Sequence, residues 1–199
     1  MKEIKYSEIV NDELLVNSYD HNVHTGFLED YRVLTCLLRR YNPKTIFEVG
    51  TNIGNGINVM GTALPNAKIF SLDLPYILKE DSRQYPVSGD GEDLLGSSTK
   101  LPYTQLRENS LYFDFSEYPC EAYYIDGEHI ELNVFVEVRE ILKLKPTIII
   151  LHDIDMPDVM SGLQKAFNDN NEYNFYRVLE TRVSYLIKKT EDKSKSTCP

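Results

Sequence analysis

The chain has 199 residues, a length that favours one domain with a sizeable buried core. Its formal net charge of −10 would repel a polyanion, so we expect no nucleic-acid partner. We also expect no membrane segment, because no apolar run approaches the roughly 20 residues that span a bilayer and the N-terminus lacks the apolar region of a signal peptide. The three cysteines have no metal-ligand spacing, which favours reduced thiols and a cytoplasmic location.

Apolar side chains that recur at helical or strand spacing divide the chain into predicted elements. The predicted helices cover 26–41, the segment after a glycine-bearing turn at 50–54, 134–142 and the residues from Pro157 to Phe167. The predicted strands cover 45–49, 68–72, 111–115, 122–125, 147–151 and a final antiparallel pair at 173–180 and 182–188. Alternation of strands and helices predicts a parallel sheet covered on both faces.

Three regions are predicted from this order. Residues 1–42 form an N-terminal helical segment packed on the domain, 43–189 form the domain itself, and 190–199 form a disordered tail. Within the domain, 75–107 is rich in proline and glycine and has little periodicity. A loop of that length in a compact domain is usually functional or disordered, so we expect it to contribute to a binding pocket.

The turn after the strand at 45–49 has the residue pattern of a cofactor-binding turn. Glycines in it let the backbone approach a ligand closely, and an acid stands where the dinucleotide fingerprint G-x-G-x-x-G has its first glycine. That acid would repel a pyrophosphate and attract a cofactor bearing an ammonium and a sulfonium, while the acid ending the next strand can accept both ribose hydroxyls. A purely structural turn is the alternative. The predicted cofactor-binding residues here are Glu48, Gly50, Thr51, Asn52, Gly54, Asp73 and Leu74.

On these residues the sequence resembles the class I S-adenosylmethionine-dependent methyltransferases, whose first two motifs are similar to Glu48-x-Gly50-x-x-x-Gly54 and Asp73. Two further runs, Ile125-Asp126-Gly127-Glu128-His129 and Ile150-Leu151-His152-Asp153, resemble the methyltransferase-24 type. The resemblance spans about residues 43–188. It implies S-adenosylmethionine as cofactor. It also implies a Rossmann-like α/β fold, with a mainly parallel seven-stranded sheet, an antiparallel C-terminal hairpin strand and helices on both faces.

Two departures from the family pattern accompany the resemblance. Asn109 stands where the family has an acid before the serine, so adenine recognition there would come from an amide or from Ser110. Lys145-Pro146-Thr147 replaces a Gly-Gly pair at a turn remote from the cofactor. Neither change removes a contact of the first motif, and Asp126 completes the predicted cofactor-binding set.

The candidate catalytic residues follow two strands that should be neighbours. Asp126 and Asp153 should have backbones about 5 Å apart, and with His152 or Asp155 nearby they can hold Mg²⁺ or a similar hard cation that polarises a hydroxyl acceptor. His129 is the candidate general base, because an imidazole titrates near neutrality. Structural alternatives remain open for each: a turn or helix cap for Asp126 and Asp155, a backbone hydrogen bond for His129, and loop anchoring for His152 and Asp153.

The leading functional hypothesis is methyl transfer to a hydroxyl of a small polar molecule, a sugar or a phenolic metabolite. A non-catalytic S-adenosylmethionine-binding or scaffold protein on the same fold is the alternative. An NAD-linked oxidoreductase is disfavoured by Glu48. The sequence is compatible with a homodimer and does not identify the methyl acceptor.

Overall fold

The computed structural model describes residues 1–10, 28–74, 94–168 and 170–192. Strands in this part of the chain are β1 (Lys2–Lys5), β2 (Thr45–Val49), β3 (Lys68–Asp73), β4 (Thr104–Arg107), β5 (Ala122–Ile125), β6 (Ile148–Leu151), β7 (Tyr173–Leu179) and β8 (Ser184–Lys188). Helices are α1 (Tyr6–Ile9), α2 (Leu28–Tyr41), α3 (Asn55–Ala63), α4 (Glu131–Lys143) and α5 (Pro157–Phe167). Short 3₁₀ turns occupy Phe115–Glu117 and Lys189–Glu191.

The described strands form one sheet of order β1-β7-β8-β6-β5-β2-β3-β4. All neighbouring strands are parallel except at β8, which is antiparallel to β6 and to β7. The predicted α/β fold with its antiparallel C-terminal hairpin is therefore confirmed. Strand order reverses direction between β2 and β5, and ligands of such sheets bind beyond the strand ends at that position.

The two faces of the sheet bury separate cores, because successive side chains of a strand point to opposite sides. Ile46 of β2 and Tyr124 of β5 face α2 and α3. Phe47 and Ile125 face α4 and α5. The same alternation continues one residue past the ends of β5 and β6. It places the side chains of Asp126 and His152 on the α2 side of the sheet, where they can meet residues of α2.

The N-terminus differs from its prediction as a helical segment. Lys2–Lys5 form an eighth strand that pairs in parallel with β7, from Lys2 opposite Tyr176 to Lys5 opposite Leu179. Four residues are too few to show a reliable period, and the strand is defined by its backbone pairing with β7. The helix predicted at 26–41 is confirmed over Leu28–Tyr41.

The strand predicted at 111–115 is wrong. The alternation that suggested it is real, because Phe115 is buried while Tyr112 is 80% exposed. Phe113 and Phe115 both pack on Phe47, with ring centroids 5.6 and 5.5 Å away. The backbone, however, turns at Asp114, whose carboxylate accepts a hydrogen bond from the amide of Ser116 at 2.9 Å. The strand that pairs with β3 is instead Thr104–Arg107, inside the predicted loop.

Parts of three predicted regions lie outside the described residues. These are residues 75–93 of the predicted loop, 193–199 of the predicted tail and 11–27 of the N-terminal segment. In the described part of the chain, Cys36 and Cys120 are buried thiols. No described helix has both the length and the apolar character that a bilayer crossing requires.

Candidate active site

A cavity of about 740 Å³ opens at the carboxyl ends of β2, β3 and β5. Its wall contains the glycine turn after β2, the end of β3, the segment after β4 and the segment after β5. Most of the predicted cofactor and catalytic residues line it: Glu48, Gly50, Thr51, Asn52, Asp73, Leu74, Asn109, Ser110, Asp126, His129 and Asp153. Gly54, which was also predicted, belongs to the turn but does not line the cavity. The topology therefore brings residues from five chain segments, at or after the ends of β2, β3, β4, β5 and β6, to the carboxyl edge of the sheet.

Gly50 and Gly54 have backbones that other residues rarely adopt, with φ of 99° and 96°. A Cβ on Gly50 would lie 2.1 Å from the carbonyl oxygen of Asp126, so the turn is packed directly against the end of β5. Two backbone hydrogen bonds hold it there, from Gly50 N to Leu72 O at 2.8 Å and from Asp126 N to Val49 O at 2.9 Å. The turn is thus rigidly placed at the cavity wall.

Glu48 is a buried group beneath the turn and not the free charge that the sequence predicted. Its side chain is on the α3 face, where a Cβ on Gly56 would meet its carboxylate oxygen at 1.9 Å. It accepts a hydrogen bond from Ser71 Oγ, and Ser71 in turn pairs with Thr51 Oγ1 at 2.7 Å. Burial, and to a smaller extent Asp126 and Asp73, raises the pKa of Glu48 well above its ordinary value. The neutral acid is therefore favoured.

Asp73 stands at the end of β3 as predicted. Its Oδ2 accepts a hydrogen bond from the amide of Asn52 at 2.9 Å, and its Oδ1 accepts one from the amide of Leu74 at 2.8 Å. Each carboxylate oxygen can accept a second hydrogen bond. Asp73 therefore ties the glycine turn to β3 and keeps lone pairs that suit the hydroxyl groups of a ribose.

The segment before β4 braces the turn, a role that its loop-like sequence does not reveal. Gly96 N donates to Asn52 O at 2.8 Å, and Ser98 Oγ donates to Ile53 O at 2.6 Å. From β4, Gln105 Nε2 donates to Thr51 Oγ1 at 2.9 Å. These contacts satisfy turn carbonyls that would otherwise lack a partner, so the end of the predicted loop belongs to the site's support.

Asn109 and Ser110 lie in the segment after β4, and each already has a partner on one side. Asn109 Oδ1 accepts from the amide of Leu111 at 2.9 Å. Ser110 Oγ donates to Glu137 Oε1 of α4 at 2.6 Å. Glu137 is wholly buried. Its burial, opposed by the Ser110 hydrogen bond and reinforced by Glu128, raises its pKa to about 7.

This raised pKa predicts a measurable change of stability with pH. The folded protein keeps a proton on Glu137 between its ordinary pKa of 4.5 and about 7, whereas the unfolded chain has released it. The free energy of unfolding therefore falls as pH rises through that window. Glu137→Gln removes the titration, so its stability relative to wild type should rise by up to about 3 kcal/mol from about pH 4.5 to about pH 8.

Urea unfolding of both proteins across this pH range measures the difference. Glu140→Gln on the same helix is the matched control. The Lys143 hydrogen bond lowers the pKa of Glu140, so this variant should show no such rise. A pH-independent difference between Glu137→Gln and wild type would contradict the assignment.

The candidate catalytic residues form a compact cluster at the ends of β5 and β6. His152 Nδ1 lies 3.1 Å from Asp126 Oδ1 and 3.1 Å from Asp153 Oδ2. His152, rather than Asp153, continues the ladder opposite β5, because its amide donates to Ile125 O at 3.0 Å. Asp153 has a left-handed φ of 52°, so its carboxylate returns to the same side as the imidazole. Two consecutive residues thus contribute to one cluster.

The cluster is charged and largely buried. Burial disfavours a charged imidazole, but the carboxylates of Asp126, Asp153 and Asp30 outweigh it and raise the pKa of His152 to about 12. Burial would likewise raise the pKa of Asp153, yet its close contacts with His129 and His152 and the charge of Arg182 hold it well below its usual range. Within the described residues, no hydrogen bond of good geometry satisfies the buried Nδ1 of His152.

Two of the remaining predicted residues have different outcomes. Asp155 is exposed and lies outside the cluster, and α5 begins after Met156 with no side-chain cap, so the fold does not bring Asp155 to the other candidate metal ligands. His129 lies at the cavity wall with Nε2 2.7 Å from Asp153 Oδ2. That contact raises the pKa of His129. A general base must be unprotonated, so the pairing counts against this role in the protein as described.

Three residues of the site were not predicted from the sequence. Asp30 of α2 accepts hydrogen bonds from His152 and Arg182, and Tyr124 OH donates to Asp126 Oδ2 at 3.0 Å. Asp30 carries a signal in hindsight, since it stands beside Tyr31 and one helical turn before Leu34 on the buried face of α2. Arg182 is the first residue of the predicted strand 182–188, where nothing marks it as functional.

No protein-family model and no curated protein matches the sequence. Many solved structures have similar folds, three methyltransferases among them. One is the S-adenosylhomocysteine-bound methyltransferase PaMTH1 of Podospora anserina, with a TM-score of 0.61 and 12% identity over 87% of this chain and 84% of that chain. Another is an O-methyltransferase of Bacillus cereus in complex with S-adenosylhomocysteine, with a TM-score of 0.58 and 15% identity over 86% of this chain and 85% of that chain. A third is the methyltransferase MycE of the mycinamycin pathway with Mg, S-adenosylhomocysteine and mycinamycin VI, with a TM-score of 0.57 and 15% identity over 84% of this chain and 52% of that chain.

These likenesses concern the fold, since identities of 12–15% say nothing specific about chemistry. This chain combines three features of the fold: the strand order, the antiparallel strand β8 and a cavity at the carboxyl end of β2. The chain therefore has the Rossmann-like fold of class I methyltransferases.

Proposed function

We propose that this protein transfers a methyl group from S-adenosylmethionine to a hydroxyl group of a small polar acceptor, such as a sugar or a phenol. One observation carries the proposal. A glycine turn with a strand-end acid, Gly50 and Asp73, shares its cavity with the carboxylates Asp126 and Asp153. The cofactor-bound O-methyltransferases of similar fold support it. Identification with the methyltransferase-24 type remains part of the proposal, resting on the runs around Asp126 and His152.

In this proposal the cofactor occupies the cavity between the glycine turn and the segment after β4. Asp73 accepts the ribose hydroxyls, the backbone of Gly50 and Thr51 lies against the methionine part, and Asn109 and Ser110 face the adenine. The Oδ1 of Asn109 is already engaged by Leu111, so its amide nitrogen remains as the donor for an adenine ring nitrogen. Glu48 supports the turn from below.

The cluster of Asp126, His152 and Asp153 suits a divalent cation. One ligand atom from each residue lies within 4.8 Å of the others, and the buried Nδ1 of His152 has two carboxylate oxygens in front of it. Two carboxylates and an imidazole form a donor set that accepts Mg²⁺ or Mn²⁺. Such a cation would lower the pKa of an acceptor hydroxyl bound to it. The magnesium present with MycE is consistent with this assignment.

Methyl transfer asks little covalent chemistry of the protein. The acceptor oxygen forms a bond to the methyl carbon of the sulfonium, the carbon–sulfur bond breaks, and its electron pair stays on sulfur. The residues at the cavity wall have to hold the acceptor in line with that bond and to receive the hydroxyl proton. Asp126 is the acceptor for this proton, because the contacts of Asp153 hold its pKa well below its usual range. His129 takes over the role only where its contact with Asp153 is broken.

Cofactor binding is the first test. Calorimetric titration with S-adenosylhomocysteine should show binding well below millimolar, with NAD as a control that should not bind. Turnover is then measured as S-adenosylhomocysteine release with a panel of sugars and phenols. Absence of binding up to millimolar concentration would sink the proposal. The same panel, assayed in excess chelator, separates the roles: activity that is lost and then restored by Mg²⁺ supports the cation, whereas undiminished turnover leaves His129.

The acceptor and the oligomeric state complete the proposal. A net charge of −10 fits a neutral or cationic small molecule better than a polyanion. The sequence is compatible with a homodimer, and light scattering of the purified protein would test this oligomeric state.

A further inference from the structure

A second layer of charged residues stands behind the cluster. Asp30 of α2 is 1% exposed, and its Oδ2 lies 3.1 Å from His152 Nε2. Arg182, in the turn between β7 and β8, donates from its backbone amide to Asp30 Oδ1 at 2.9 Å and from Nε to Asp30 Oδ2 at 3.2 Å. Arg182 Nη1 also donates to Asp153 Oδ1 at 2.6 Å. Two elements far apart in the chain thus meet behind one imidazole.

Asp30 determines which ring nitrogen of His152 keeps its hydrogen when the other nitrogen binds a cation. A carboxylate only accepts hydrogen bonds, so Nε2 at 3.1 Å from Asp30 has to carry a hydrogen. The same rule gives Nδ1 a hydrogen while it faces only the carboxylates of Asp126 and Asp153. A cation bound between these carboxylates would replace that hydrogen, and Nδ1 would then present its lone pair to the cation. The opposite arrangement would set a bare Nε2 against a carboxylate oxygen, with only the 3.4 Å contact to Arg182 Nη2 in compensation.

Arg182 orients the neighbouring carboxylate in the same way. Its guanidinium occupies Oδ1 of Asp153, so Oδ2 is the oxygen that faces His152 and His129. The turn that carries Arg182 is itself fixed, because Ile154 N donates to Arg182 O at 3.0 Å. The backbone on both sides of Asp153 is therefore tied to the turn that contacts Asp30.

We propose that Asp30 is a positioning residue, which holds Nε2–H of His152 and so presents Nδ1 as the imidazole ligand of a divalent cation, with Arg182 aligning Asp153 for the same ion. The inference rests on the proposed function and its cation site. Partners that orient a metal-bound histidine typically change metal affinity about tenfold to hundredfold when removed. Asp30 does not itself line the cavity, so its replacement should leave cofactor affinity unchanged.

The test compares Asp30→Asn with Glu29→Gln. Asn has one acceptor oxygen where Asp30 uses two, so it cannot serve both His152 and the Arg182 amide. Glu29 is exposed and adjacent on the same helical turn, which makes Glu29→Gln the matched control. The probe is Mn²⁺ alone, measured by electron paramagnetic resonance, and S-adenosylhomocysteine calorimetry on the same samples reports folding and the cofactor site.

Support for the inference is a Mn²⁺ affinity at least about tenfold weaker in Asp30→Asn, with cofactor affinity and the Glu29→Gln variant unchanged. Equal Mn²⁺ affinity in Asp30→Asn and wild type overturns the role of Asp30 and leaves the proposed function intact. Wild-type protein that binds S-adenosylhomocysteine but no Mn²⁺ overturns both the cation site and this inference. Wild type that binds Mn²⁺ but no cofactor refutes methyl transfer, while the comparison of variants still judges Asp30.

Nuclear magnetic resonance of the wild type covers the case in which Asp30→Asn fails to fold. The chain has four histidines, so His152→Gln identifies the ring signals of His152 by difference. With Mg²⁺ bound, Nε2 should carry a slowly exchanging proton and Nδ1 none. A proton on Nδ1 with a bare Nε2 would refute the proposal.

Discussion

Gly50→Ala is expected to destabilise the protein by more than about 2 kcal/mol and to abolish S-adenosylhomocysteine binding. The added Cβ would stand 2.1 Å from the carbonyl oxygen of Asp126 on a backbone with φ of 99°. The contact is with backbone, which cannot rotate away, so β2 and β5 would have to separate at the cavity wall. Chemical denaturation measures the loss of stability, and calorimetry measures the loss of binding.

Gly127→Ala is the control for this variant. A Cβ there would first meet a methyl group of Val49 at 3.1 Å, and no positive φ opposes it. A side-chain methyl can shift by a few tenths of an ångström, so this variant should retain most of its stability and cofactor affinity. If Gly50→Ala behaved like Gly127→Ala, the glycine turn would not be packed against β5 as described.

Asp153→Asn should lose Mn²⁺ binding altogether and cost about 3 kcal/mol of stability in the cation-free protein. The amide nitrogen of Asn would face either Arg182 Nη1, which now donates to Oδ1, or His152 Nδ1, which lies 3.1 Å from Oδ2. Removing the charge of Asp153 leaves Arg182 and His152 with Asp30 as their shared carboxylate partner, and this weaker compensation of two buried cations is the larger part of the cost. Turnover on any accepted sugar or phenol should fall with the loss of the cation.

Asp155→Asn provides the comparison two residues along the chain. Asp155 is exposed and lies outside the cluster, so its substitution should change neither Mn²⁺ affinity nor stability by a measurable amount. A non-catalytic cofactor-binding protein would behave differently, because Asp153→Asn would then alter stability alone. Intact Mn²⁺ binding in Asp153→Asn would exclude this carboxylate as a ligand.

Most of the scaffold of the site could be predicted from local sequence. The strand at 45–49, the glycines after it and Asp73 at the end of β3 are marked by short-range patterns of burial and backbone freedom. The same patterns gave a wrong prediction where a strand and a loop have the same alternation of apolar and polar residues. Alternating apolar residues at 111–115 fit both a strand and a loop that inserts Phe113 and Phe115 into an aromatic cluster.

The electrostatic state of the site could not be predicted in the same way. Glu48 has an acid's charge in sequence, but burial beneath α3 favours its neutral form. His129 has the ordinary titration of an imidazole in sequence, but Asp153 raises its pKa in the fold. A pKa depends on desolvation and on neighbouring charges, and both are properties of the folded surroundings.

The amino-acid sequence by itself determined most of the order of strands and helices, apart from β1 and β4, and the turn that follows β2, because hydrophobic periodicity and glycine act over a few residues. Tertiary structure decided which polar groups meet there. Asp30 and His152 are 122 residues apart, and Asp30 and Arg182 are 152 apart. Their contact follows from the packing of α2 on the sheet beside the β7–β8 turn, and no short-range pattern encodes that packing.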